Sequence, residues 1–175
     1  MIRCAITAGR GVAAALFERI DWIQVREKDM PARALTEMVR GLTGRGPKVI
    51  VNARLDVAIA AGAQGVHLPS ASIAPMRLRP LTVPGFLIGV SCHSLLDVER
   101  AEREGADYVY LSPIFASPSK PGYGPPVGLG LLREACRRVR IPVLALGGVN
   151  ETNAEECVAA GAAGFASISA FAAAK

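Results

Sequence analysis

The residues able to do chemistry fall into three groups. The first is a pair of short apolar runs interrupted by glycine or serine, Leu146-Gly147-Gly148-Val149 and Ser167-Ile168-Ser169-Ala170. Exposed main-chain N–H groups at such positions, together with the first turn of a helix, bind dianions. Gly147, Gly148, Ile168 and Ser169 are therefore candidate phosphate ligands, with a short terminal helix expected to start near Ser169. The second group lies between Ser112 and Gly124, a segment stiffened by Pro113, Pro118 and Pro121 and too long for a plain connector. Ser117, Ser119 and Lys120 within it could close over an anion as a lid. The third group is the two histidines. Imidazole titrates near neutrality, and His93, at a predicted strand end, is the candidate acid/base. His67 reads as a buried structural ring.

Positioning these groups requires regular elements, and the chain alternates β-rich runs with helical patterns from end to end. Strands are predicted at Arg3–Thr7, Trp22–Glu27, Lys48–Asn52, Val66–Leu68, Leu87–Cys92, Tyr108–Ser112, Val143–Leu146 and Phe165–Ile168. Between them lie helices, the clearest starting near Pro31, where Leu35, Met38, Val39 and Leu42 form one buried stripe. A repeated grammar supports the alternation. Ala61-Gly62-Ala63-Gln64-Gly65-Val66, Glu104-Gly105-Ala106-Asp107-Tyr108-Val109 and Ala160-Gly161-Ala162-Ala163-Gly164-Phe165 each end a helix on glycine and enter a strand. Strict βα alternation implies parallel strands with right-handed crossovers, and eight of them imply a single (β/α)8 barrel over residues 1–175. The barrel is short, with truncated first and last helices. Apolar strand surface left bare by the missing last helix should be covered by the N-terminal segment or by a second copy in a homodimer.

Parity then sorts the strand residues, because successive side chains face opposite sides. Aliphatic residues such as Ile23, Val25, Val49, Val51, Ile88, Val90, Val109 and Leu111 suit the layer under the helices. That leaves Gln24, Arg26, Lys28, Asn52, Ser91, His93, Tyr108, Tyr110 and Ser112 facing the axis, with Ser167 and Ser169 assigned there as well. These polar residues gather late in their strands, at the C-terminal rim where such barrels place their active sites.

Composition narrows the partners. The chain has 175 residues, 51% hydrophobic and 20% charged, with a formal net charge of +5. That apolar content excludes a disordered chain. Four scattered cysteines without a CxxC spacing read as reduced thiols, in keeping with a cytoplasmic protein. The uncharged stretch Cys157–Ala174 is mostly alanine broken by glycine and serine, so a buried strand with turns is expected rather than a membrane span. A pI near 9.3 favours anionic partners. Interleaved acids and few aromatics argue against nucleic acid, and a phosphorylated small molecule fits the same charge.

Several segments resemble the thiamine phosphate synthase superfamily, which includes the thiazole tautomerases. They are Gln24-Val25-Arg26-Glu27-Lys28, Val51–Ala58, Gly65-Val66-His67-Leu68, Ile88–Ser94, Gly105–Val109, Pro113-Ile114-Phe115, Gly147-Gly148-Val149 and Ile168-Ser169-Ala170, in the family's order and over nearly the whole chain. The resemblance implies a barrel that binds a phosphorylated thiazole, with its phosphate at Gly147, Gly148, Ile168 and Ser169. It places Gln24, Arg26, Lys28, Asn52, Ser91 and Lys120 around a pyrimidine diphosphate, with Ser117 and Ser119 in the lid. The synthases join these two substrates, expel pyrophosphate, and hold Mg2+ with two aspartates, at positions occupied here by Ala53 and Ser72. Neither replaces a carboxylate as a ligand for a hard cation. Leu68-Pro69-Ser70-Ala71-Ser72 instead resembles the tautomerase branch, whose usual histidine position is Pro113 here. The expectation is thus a metal-independent thiazole tautomerase with His93 as acid/base and no cofactor. The alternatives are a Mg2+-dependent synthase and a non-catalytic thiazole-phosphate binding protein.

Overall fold

The computed structural model describes residues 1–9, 11–116 and 125–172. Eight parallel strands close in sequence order into a barrel. They are β1 (Ile2–Ile6), β2 (Trp22–Val25), β3 (Lys48–Asn52), β4 (Gly65–Leu68), β5 (Leu87–Cys92), β6 (Tyr108–Leu111), β7 (Val143–Ala145) and β8 (Gly164–Ser167). The helices between them are α1 (Ala32–Leu42), α2 (Leu55–Ala61), α3 (Pro75–Leu78), α4 (Leu95–Arg103), α5 (Gly128–Arg138) and α6 (Ala154–Ala159). Among the described residues the first crossover carries a 3-10 helix, Ala14–Arg19, and α3 is a single turn continued by a 3-10 turn, Arg79–Leu81. The expected (β/α)8 architecture with a truncated first helix is what forms.

Two separate cores follow from strand parity. Between wall and helices pack Ile23, Val25, Val49, Val51, Val66, Ile88, Val109, Leu111 and Phe165 against residues such as Leu35, Val39, Val98 and Leu132. Inside the barrel sit Cys4, Ile6, Trp22, Tyr108, Tyr110, Leu144 and Ala166. The expected parity holds for β2, β3, β5 and β6. It is reversed at β8, where Phe165 lies in the outer core and Ala166 and Ile168 pack in the inner one. Ser167 consequently points outward, where its Oγ accepts the N–H of Ala170 at 3.2 Å. Phe165, the largest side chain of β8, packs in the outer core, so the residues on either side of it face the axis.

Among the described residues no helix follows β8, and the flank there is covered in part from within the chain. In place of the terminal helix expected at Ser169, residues 168–172 bend back over β8. Phe171 stacks on Phe165 with ring centroids 5.5 Å apart. Val12, ahead of the 3-10 helix, bridges to Ala172 in antiparallel fashion, so the N-terminal segment supplies part of the cover, as anticipated.

A glycine makes room for the aromatic lumen. A Cβ on Gly89 would stand 2.1 Å from Cζ of Tyr108, inside the ring's own contact surface. Gly89 and Tyr108 are register partners on adjacent strands, and Tyr108 meets Trp22 edge to face at 4.8 Å. Gly89→Ala should therefore lower the unfolding free energy by about 2–3 kcal/mol through overpacking. A urea midpoint equal to that of the wild type would show that the ring does not lie across this glycine.

Candidate active site

Both halves of the barrel mouth carry groups suited to anions. On the β2–β5 side, Arg26 follows β2 with its backbone N–H held by the Thr7 hydroxyl at 2.9 Å. Glu27 accepts the N–H of Gly9 at 2.8 Å, so it ties the β1 loop to β2 instead of orienting its neighbours Arg26 and Lys28. Lys28 is exposed and Arg26 half-buried. Among the described residues neither side chain meets a hydrogen-bonding or ion-pair partner, whereas the nearby Arg54 is committed to Asp56 through two contacts of 2.9 and 2.5 Å. A cleft of about 210 Å³ lies here, lined by Glu27, Lys28, Asn52, Ala53 and Arg54 among others. A larger cavity of about 310 Å³ lies against the loop after β4, lined by residues 69–75, Ser72 among them, together with Val90, Arg100, Ala101 and Glu104.

Within the mouth, Gln24 donates Nε2–H to Asn52 Oδ1 at 3.0 Å. Gln24 is 2% exposed, and its Oε1 has no partner among the described residues. An unsatisfied buried acceptor is costly, so this oxygen is available for a ligand N–H. Ser91, half-buried, is bonded to His67 Nε2 at 2.9 Å, while Nδ1 of the same ring lies 3.1 Å from the Tyr108 hydroxyl. The Tyr110 ring stacks on the imidazole at 4.0 Å. Burial lowers the His67 pKa from its ordinary 6.5 to about 3, so the ring is neutral at physiological pH. Burial likewise raises the Tyr108 and Tyr110 hydroxyls well above their usual range and pushes the Cys4 thiol up to about 12.

His93 lies at the mouth as expected, but its Nδ1–H donates to the Ser112 carbonyl at 2.8 Å. Its backbone N–H is held by Asp97, which also accepts from the Ser94 hydroxyl that caps α4. The ring thus fastens the end of β6. Pro113, at the tautomerase histidine position, has no proton to exchange. It packs where a Cβ on Gly147 would lie 2.7 Å from its Cα.

The opposite half of the mouth is made of main chain. Gly147 and Gly148 adopt positive φ of 87° and 67°, which favours glycine. A Cβ on Gly148 would stand 2.7 Å from the Ala116 carbonyl oxygen, so the pair also lets the β6 loop pack closely. Among the described residues no acceptor takes the N–H of Gly147, Gly148 or Ser169. Ile168 flanks them from the inner core and Ser169 is exposed. Ser117, Ser119 and Lys120, the expected lid, lie outside the described residues.

The metal expected for a synthase finds no carboxylate cage here. Ala53 and Ser72 occupy the two aspartate positions, and among the described residues no three of His, Cys, Asp and Glu come together. The donor set does not fit protein-held Mg2+. Ala53 also has a φ of 61°, a left-handed conformation that asparagine, aspartate and glycine accept more readily than alanine.

The mouth of this parallel (β/α)8 barrel thus sets Arg26 and Lys28 against main-chain amides that meet no acceptor among the described residues, at the end where such barrels place their sites. Comparison with known proteins carries this further. Residues 3–171 match the family model described as thiamine monophosphate synthase, and the chain belongs to that family. A putative thiamine-phosphate synthase of Geobacter sulfurreducens is 45% identical over 163 residues, covering 91% of this chain and 76% of that one. A thiamine-phosphate synthase of Methanoculleus marisnigri is 44% identical over 174 residues, covering 94% and 82%. Among solved structures, thiamine phosphate pyrophosphorylase from Pyrococcus furiosus superposes with a TM-score of 0.81 at 30% identity, covering 96% of this chain and 85% of that one. These relatives overturn the expectation of a tautomerase, since they bear the synthase name at high identity over nearly the whole chain. The Leu68–Ser72 run and the two missing aspartates are local departures within a synthase-like sequence. Among the described residues no helix is long and apolar enough to cross a membrane, and the uncharged stretch after Cys157 divides there into the end of α6, β8 and turns.

Two outcomes follow. Ala53→Asn, by relieving the left-handed alanine, should raise the unfolding free energy by about 1 kcal/mol in urea titrations. The second concerns pH. Between pH 3 and 6.5 the unfolded chain binds more protons at His67 than the folded one. The stability due to its neutral ring is complete above pH 6.5 and lost as pH falls toward 3. Lowering the pH from 7 to 5 should cost the wild type about 2 kcal/mol more than His67→Gln. Parallel pH dependences would refute the buried neutral ring.

Proposed function

We propose that this protein is a thiamine-phosphate synthase, a transferase that joins a pyrimidine diphosphate to a thiazole phosphate and releases pyrophosphate. The observation that carries the reading is the division of the mouth into two anion-binding halves. Arg26 and Lys28 lie on one side, and on the other the amides of Gly147, Gly148 and Ser169, which meet no acceptor among the described residues. Two phosphorylated substrates, one on each half, would meet over the lumen.

The reaction makes one C–N bond to the thiazole ring nitrogen and breaks one C–O bond, with the electron pair leaving on pyrophosphate. No proton need move, so the absence of a histidine at Pro113 and the tethering of His93 Nδ1 to a backbone carbonyl do not impede it. The chain's task is to align the substrates and to balance the charge developing on the leaving group. Arg26 and Lys28 face that charge. The Oε1 of Gln24, without a partner among the described residues, suits an exocyclic amine on the pyrimidine, and Asn52 holds the Gln24 amide in place. Ser91 adds a hydroxyl beside them. Gly147, Gly148, Ile168 and Ser169 receive the thiazole phosphate. No step is assigned to protein-bound Mg2+, because the residues at its two expected positions cannot hold it.

Incubation with both substrates, with and without Mg2+, should release pyrophosphate in step with thiamine phosphate. Arg26→Met should reduce kcat/KM by about 10–100-fold, the loss of one charge-assisted hydrogen bond. Tight binding of thiazole phosphate with no pyrophosphate under either condition would overturn the reading and leave a binding protein.

A further inference from the structure

A short polar chain joins the lumen to the mouth. The Tyr108 hydroxyl lies 3.1 Å from His67 Nδ1, and His67 Nε2 lies 2.9 Å from Ser91 Oγ. Tyr108 and His67 are buried and Ser91 is half-buried. The neutral ring carries one proton, so the chain can run in either of two directions. In one, Ser91 donates inward to Nε2 and Nδ1–H donates to the phenol oxygen, which leaves the buried phenol proton with no close acceptor among the described residues. In the other, Tyr108 donates to Nδ1 and Nε2–H donates to Ser91, so each of these protons meets an acceptor. Aligned bonds in a dry lumen also reinforce one another.

We propose that His67 is a positioning residue that donates Nε2–H to Ser91 Oγ, so that the Ser91 hydroxyl proton is directed outward as a donor to an oxygen of the bound phosphorylated substrate. The identity of that substrate rests on the synthase reading. The direction of the chain does not. A structural imidazole would only fill space between Tyr108 and Tyr110. This one sets the hydrogen-bonding sense of a group in the site, through Tyr108 behind it.

The test begins with ¹⁵N-histidine NMR of the intact wild-type protein, which has two histidines, told apart by His93→Gln. His67 should show a protonated, pyrrole-type Nε2 and an unprotonated, pyridine-type Nδ1. A protonated Nδ1 would overturn the proposal whether or not the protein turns over. Kinetics supply the second arm. Tyr108→Phe keeps the ring but removes the donor to Nδ1. It should lower kcat/KM about fivefold to tenfold, the size of one neutral hydrogen bond, and have no effect in a Ser91→Ala background. Equal losses in both backgrounds would show a role in packing alone and refute the proposal. Absence of turnover in the wild type would defeat the synthase reading while leaving the NMR result to decide this one.

Discussion

A polar group inside a closed barrel has no water to fall back on, and the interior of this protein is organised around that constraint. His67 enters the lumen from β4 and can be buried only as a neutral ring with both nitrogens occupied. Tyr108 and Ser91 occupy them, and Tyr110 covers its face. Those partners come from β5 and β6, so the bonds also stitch three neighbouring strands together inside the wall. The demand reaches further. Tyr108 fits across the axis only because residue 89 is glycine, and Trp22 closes the other edge of its ring. The floor of the mouth is thus a set of mutually dependent contacts.

Above that floor the two sides of the rim work differently. The β2–β5 side presents side chains, each steadied by a short tether: Thr7 on the Arg26 backbone, Gln24 on Asn52, and His67 on Ser91. The β7–β8 side presents backbone, with glycines whose missing Cβ atoms admit the β6 loop against them. Side chains that carry charge can follow a leaving group. Fixed amides suit a phosphate that stays in place. The absence of acids at positions 53 and 72 makes the first side more cationic than two aspartates there would, and Ala53 keeps the left-handed backbone that an aspartate or asparagine would adopt more easily.

Much of the fold was legible because parallel barrels leave a plain signature. Lys48–Asn52 and Leu87–Cys92 were bounded correctly from β-branched runs alone, and the Gly62, Gly105 and Gly161 stops marked where helices turn back into strands. The axis-facing polar residues of β2, β3, β5 and β6 followed from period two. β8 did not, because Ser167 and Ser169 suggested an inward polar face while Phe165, three residues short of the turn, controls the register through Phe171. That contact joins residues on both sides of the turn and has no periodic trace. The site residues remain candidate positions. The expectation of a tautomerase gives too much weight to two missing aspartates and one short run against the resemblance of the whole chain to synthases.

By itself the amino-acid sequence determined the alternation of elements, the side each strand residue faces where one parity is aliphatic, and the glycine pair at the rim, since these depend on local geometry and periodic burial. The tertiary structure decided which polar atoms meet. The contacts of Cys4 with Tyr110, of Tyr108 with His67 and of His67 with Ser91 join four strands across separations of up to 106 positions. So do the tether of His93 to the Ser112 carbonyl and the turn of Phe171 over β8 depend on closure. Hydrogen bonds between strand interiors are set by register and barrel diameter, and neither is written in any one segment.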